Sequence, residues 1–94
     1  GMTITDEPGV YKENKYGIRT ENTLLVEDNG ITPDGHFLGF ENLTWVPIDI
    51  DLIDISILSS VELKWLKCYQ SQVYEKLKSY LNEDEAKWLK DICM

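Results

Sequence analysis

Two capping boxes constrain this chain more than any other feature: Ser59-x-x-Glu62 and Asn82-x-x-Glu85. In each, the first side chain can accept from a free N–H of a helix's first turn while the glutamate reaches back to the cap. After the first box, Leu63, Leu66, Tyr69, Val73, Leu77 and Tyr80 recur at helical spacing, which predicts a helix from about 60 to 80. After the second, Ala86, Leu89 and Ile92 form an inward stripe on a shorter helix over 83–93. The long stripe, with Trp65 and Trp88, reads as a core seam between helices and a sheet.

The residues ahead of these helices have a different grammar. Thr3–Asp6, Gly17–Glu21 and Thr23–Glu27 are strand candidates, the last two readable as one strand. Asp28-Asn29-Gly30 and Pro33-Asp34-Gly35 are turn signals. Phe37–Phe40 and Leu43–Ile50 are rich in aromatic and β-branched residues and predict a β-hairpin region over 37–50, with Pro47 at an edge or bulge. Asp49 and Asp51 alternate with Ile48, Ile50 and Leu52, the pattern of a half-buried strand with a wet face. With Asp54 they make an acidic cluster, but it lacks the glycine and the alternating oxygen donors of a calcium loop. His36, the only histidine, follows the Pro-Asp-Gly turn and reads as an exposed loop residue. The expected fold is α+β: a small antiparallel sheet followed by two C-terminal helices.

Charge narrows the partners. Seventeen acidic residues against nine basic ones give a net charge of −8, and the whole excess lies in residues 1–59. Such a surface argues against nucleic acid and anionic membranes, because phosphate contacts need lysine and arginine. Cys68 and Cys93 lack metal-type spacing and read as free thiols. The chain carries no recognisable signal peptide or long apolar run, so a cytoplasmic location is the expectation. Ninety-four residues suit one small domain with a modest core.

The chemistry-bearing residues lie in the β half. Glu7 sits in Asp6-Glu7-Pro8-Gly9, where Pro8 lacks an N–H and Gly9 permits a tight turn, so a strand must stop there. In Gly17-Ile18-Arg19-Thr20-Glu21-Asn22, alternation sends Gly17, Arg19 and Glu21 to one face and Ile18 and Thr20 to the other. A carboxylate and a guanidinium side by side suit either a hard divalent metal or a simple cross-strand ion pair.

The segment MTITDEPGVYKENKYGIRTEN, residues 2–22, resembles the last metal-ligand segment of the Xaa-Pro aminopeptidases, metallopeptidases of the creatinase-like pita-bread fold. FLGFENLTWVPIDIDLID at 37–54 and ELKWLKCYQSQVYEKL at 62–77 resemble the C-terminal extension of the long, three-domain members. The resemblance implies that residues 1–28 are the last strands of a pita-bread catalytic domain and 29–94 its C-terminal extension. It also implies two divalent metals, manganese in most members, held by two aspartates, one histidine and two glutamates. Glu7 and Glu21 match the two glutamates, Glu21 being the one that bridges both metals, and Arg19 matches an arginine that supports the cluster from behind the ligands. Thr20 departs from the pattern, which usually has an apolar residue there. The aspartates and histidine lie upstream in the family and have no counterpart here.

The implied activity is hydrolysis of the bond after an N-terminal residue that precedes proline, in a homodimer whose C-terminal extension builds the subunit contact. Two ligands of five cannot fix a dinuclear site, so the chain alone is expected to hold no metal tightly and to have no turnover. Two other readings stay open: a non-catalytic interaction or dimerisation module derived from that family, and a remnant whose sheet lacks its neighbours. Gly1 is either a native residue or left by tag removal.

Overall fold

Antiparallel pairing dominates residues 1–44 in the computed structural model, which describes residues 1–93. Five strands form: β1 (Thr3–Asp6), β2 (Gly9–Lys12), β3 (Tyr16–Arg19), β4 (Asn22–Thr32) and β5 (Gly35–Asn42). One sheet has the order β1-β4-β5, and β2 pairs with β3 in a two-stranded sheet. The β2–β3 hairpin had no signal in glycine or proline. It closes through Glu13-Asn14-Lys15, with Asn14 in the left-handed region at φ 57° and Lys15 N–H donating to Lys12 O at 3.0 Å. Asparagine tolerates that conformation, so no glycine is needed.

Two turn signals had different fates. Pro33-Asp34 does link β4 to β5, with Thr32 Oγ1 accepting from Asp34 N–H at 3.2 Å and Gly35 at φ 136°. Asp28-Asn29-Gly30 is no chain reversal. It is an irregularity inside β4, where the register with β5 shifts between Asp28 and Ile31 and Gly30 takes φ 89°. Asp28 Oδ1 accepts from Gly30 N–H at 2.7 Å and contacts His36 Nε2 at 2.9 Å, so a local turn is absorbed as a bulge while the ladder resumes beyond it. His36 is exposed as expected, but it lies in a strand rather than a loop.

A second unit begins at Trp45. Helix α1 spans Ser60–Leu77 and α2 spans Glu83–Cys93, and both capping boxes form. Ser59 Oγ accepts from Glu62 N–H at 3.2 Å and Glu62 accepts from Ser59 N–H at 2.8 Å. Asn82 and Glu85 exchange the same pair of bonds at 2.9 and 3.0 Å. Tyr69, Val73, Leu89 and Cys93 make the buried centre, and Trp45, Ile48, Leu77, Leu81 and Ile92 pack around it. Tyr80 leaves the stripe because the last turn tightens to a 3-10 turn over Lys78–Tyr80, which leaves it 84% exposed. Trp65 and Trp88 are also exposed, Trp65 nevertheless stacking on Tyr69 with centroids 5.4 Å apart.

The strand expected over Leu43–Ile50, and with it the hairpin over 37–50, does not form. Side chains of α1 take the place of a ladder partner. Buried Gln70 accepts from Ile48 N–H at 3.0 Å and donates to Ile48 O at 2.8 Å, while Tyr69 Oη donates to Val46 O at 2.7 Å. The wet-faced edge expected of Asp49, Asp51 and Asp54 is replaced by two 3-10 turns. Asp49 caps the first by accepting from Asp51 N–H, and Asp54 caps the second by accepting from Ser56 N–H and Oγ–H. Short acidic side chains that bond two residues ahead compete with a ladder, and here they win. The Ser56 hydroxyl and N–H together lower the Asp54 pKa.

Candidate metal-binding site on the antiparallel ribbon

The two sheets of the first unit share one register. Asp6 pairs with Asn22 at the end of the β1–β4 ladder, and Gly9 pairs with Arg19 at the start of β2–β3. One continuous antiparallel ribbon therefore runs through both, interrupted only where Pro8 has no N–H to donate. Thr20 N–H still donates to Pro8 O at 3.2 Å across the gap. Continued through it, the register sets Glu7 directly opposite Glu21. Strand alternation then puts Thr5, Glu7, Gly9 and Tyr11 on one face with Gly17, Arg19 and Glu21.

The side chains agree with this backbone argument. Arg19 Nε lies 3.8 Å from Glu7 Oε2 and 3.4 Å from Glu21 Oε2. Thr5 Oγ1 donates to Glu7 Oε1 at 3.1 Å. Tyr11, which sequence reasoning missed, lies across the two glycines. A Cβ on Gly9 would meet its hydroxyl at 2.7 Å, and one on Gly17 would meet its ring at 2.7 Å. These glycines make room for an aromatic ring that could not otherwise reach the arginine. A hydrogen bond with the Tyr11 hydroxyl and its charge, then the charges of Glu21 and Glu7, raise the Arg19 pKa. The missed signal was the alternation of Gly9 and Tyr11 opposite Gly17 and Arg19, hidden because the turn at Asn14 was not recognised.

Like charges directly opposite on a ribbon are destabilising unless a counter-charge lies between them. Arg19 supplies it. All three groups are roughly half exposed, at 50%, 51% and 37%, where screened ion pairs contribute little to stability. The arrangement is better suited to presenting two carboxylates than to holding the fold. Its donor chemistry fits a hard divalent cation, which prefers carboxylate oxygen. Its donor number does not fill a coordination shell: among the described residues no three His, Cys, Asp or Glu side chains gather where they could hold a metal ion. His36 lies on the β4–β5 hairpin with Asp28, a pairing that, after the Gly30 N–H, helps to lower the Asp28 pKa. Asp49 and Asp54 are occupied as turn caps. Cys68 and Cys93 are both free thiols, the second raised in pKa by burial.

The same ribbon and helices occur in known proteins. Aminopeptidase P1 of Arabidopsis thaliana is 41% identical over 92 residues, covering 95% of this chain and 14% of that protein. A protein named "Probable Xaa-Pro aminopeptidase P" in Coprinopsis cinerea is 40% identical over 95 residues, covering 96% of this chain and 15% of its own length. Among solved structures, the X-prolyl aminopeptidase of Caenorhabditis elegans superposes with a TM-score of 0.82 at 36% identity, over 98% of this chain and 16% of that one. It is described as a cytosolic enzyme with a di-nuclear active site. The chain thus spans about one seventh of the length of these relatives. A family model for the C-terminal region of peptidase M24 matches residues 36–94. The chain belongs to that family, and its α+β fold is that of the C-terminal part of a Xaa-Pro aminopeptidase.

Proposed function

We propose that this chain serves a metal-dependent aminopeptidase that removes an N-terminal residue preceding proline, and that Glu7 and Glu21 are two of its metal ligands. The observation that carries this reading is the placement of two glutamates opposite each other with Arg19 between them. Residues 1–28 would then close the pita-bread catalytic domain and 29–94 form its C-terminal extension. Two divalent metals, manganese by family resemblance, would polarise the peptide carbonyl and a water. The chain's own residues present and tune the carboxylates. Thr5 orients Glu7 through its hydroxyl, Arg19 balances the paired negative charge, and Tyr11 fixes Arg19 in place.

With two carboxylates and no cluster of three possible ligands among the described residues, the chain by itself holds no metal tightly and turns nothing over. A homodimer in the cytoplasm, acting on peptides with proline second, completes the proposal. A non-catalytic interaction module is the second reading, favoured by the incomplete donor set among the described residues.

The test is a chimera in which this chain replaces the matching segment of the worm aminopeptidase. The chimera is expected to hydrolyse a Xaa-Pro peptide, and Glu7→Gln or Glu21→Gln to reduce its kcat by at least about a hundredfold. A chimera that folds and hydrolyses the peptide equally well with both glutamates replaced would overturn the assignment.

A further inference from the structure

We propose that Asn29-Gly30 is a spontaneous deamidation site, held back in the folded chain by Asp28 and by the seat that Gly39 leaves for the Asn29 amide. Of the five asparagines, only Asn29 precedes a glycine. Asn14, Asn22, Asn42 and Asn82 precede lysine, threonine, leucine and glutamate, whose side chains hinder attack by the following nitrogen. Glycine has no Cβ, so its nitrogen reaches the asparagine Cγ with least hindrance. Asn29 and Gly30 are both exposed, and they lie where the register between β4 and β5 shifts.

The reaction needs no partner except water. The Gly30 nitrogen attacks Asn29 Cγ and closes a five-membered succinimide. The Cγ–Nδ2 bond breaks, and the amide nitrogen leaves as ammonia with the proton that the Gly30 nitrogen gives up. Water then opens the ring at either carbonyl. Attack at Cγ gives aspartate. Attack at the main-chain carbonyl gives isoaspartate, in which the backbone runs through the former side chain and gains one atom.

The folded geometry restrains both reacting groups. Gly30 N–H donates to Asp28 Oδ1 at 2.7 Å, and a carboxylate acceptor disfavours the deprotonated nitrogen that must attack. His36 Nε2 braces the same oxygen from β5 at 2.9 Å. Gly39, also on β5, makes room for the Asn29 side chain: a Cβ there would meet Asn29 Cγ and Oδ1 at 2.9 Å. The amide is thus seated against the neighbouring strand. Opening of the bulge frees nucleophile and amide together, so the modification records that opening. The extra backbone atom of isoaspartate then keeps Ile31–His36 and Thr32–Gly35 from pairing again in register.

The experiment incubates the 94-residue chain in mildly alkaline buffer, folded and in concentrated urea, and follows deamidation at Asn29 by peptide mapping. Each folded rate is divided by the same chain's rate in urea, which cancels the intrinsic reactivity of the local sequence. The unaltered chain is expected to give a ratio below about one tenth. Asp28→Ala is expected to raise that ratio about tenfold, the factor for one hydrogen bond to a charged acceptor. Gly39→Ala, which displaces the amide but leaves the Asp28 bond, is expected to raise it by a smaller factor. Amide exchange along Asn22–Val26 verifies that β4 still pairs, and either variant that keeps its pairing decides. Absence of Asn29 deamidation in urea, equal rates folded and unfolded, or a paired variant with an unchanged ratio would each overturn the proposal. It is independent of the metal assignment, because neither Glu7 nor Glu21 takes part.

Discussion

The two units of this chain solve the folding problem in opposite ways. Every buried side chain among the described residues belongs to the second unit: Leu66, Tyr69, Gln70, Val73, Leu89 and Cys93. Residues 1–44 bury none. The first unit is held by backbone ladders and turn chemistry, and its sheet leaves Phe40 and Leu38 on one face at 59% and 61% exposure. The second is held by apolar side chains closing around Val73. The candidate site lies in the unit without a core. A ribbon whose register is set by hydrogen bonds can hold two like charges opposite each other, and its half-exposed face leaves them open to further ligands.

This contrast can be broken at its strongest point first. Leu89→Ala removes buried methyl groups from the second unit and is expected to cost about 3 kcal/mol in urea denaturation followed by helical circular dichroism. Phe40→Ala, on the open sheet face, is expected to cost less than about 1 kcal/mol. Equal losses would mean that the first unit has a core of its own. Next in size is Gln70→Leu. It keeps the volume but leaves the Ile48 N–H and C=O without partners, and is expected to cost about 2 kcal/mol.

The smallest effect is electrostatic. The Ser59 N–H, then the Ser59 hydroxyl, lower the Glu62 pKa from its ordinary 4.5. A carboxylate with a depressed folded pKa contributes stability that is fully present above 4.5 and lost as pH falls through its lower folded value. The amides in the first turn of α1 are therefore expected to lose protection, relative to their intrinsic exchange rates, below about pH 4.5, while Glu62→Gln flattens that dependence. An unchanged pH profile in Glu62→Gln would remove the capping contribution.

Sequence was a good guide where a signal was local. The capping boxes at Ser59 and Asn82, the Pro33-Asp34 turn and the shared face of Arg19 and Glu21 depend on neighbours within a few residues. It was a poor guide where a distant side chain decided the outcome. Leu43–Ile50 has strand composition, yet Gln70 and Tyr69 supply its hydrogen bonds from a helix more than twenty residues away. Asp28-Asn29-Gly30 has a turn's composition, but its bonds to Gly30 and His36 fold that turn into a strand bulge. Tyr11 escaped notice because its part in the site depends on a hairpin turned by asparagine. The opposition of Glu7 and Glu21 became visible only when two separate ladders proved to share one register.

Metal content of the chimeric worm enzyme decides whether Glu7 and Glu21 are metal ligands. After dialysis against metal-free buffer, mass spectrometry should find the same metal content in the chimera as in the parent enzyme. Glu7→Gln and Glu21→Gln should each lower it, with Glu21→Gln lowering it more. Glu13→Gln, at the exposed tip of the β2–β3 hairpin, should leave it unchanged. Retention of full metal content by both ligand variants would contradict the account and return Glu7, Arg19 and Glu21 to an ordinary surface ion pair.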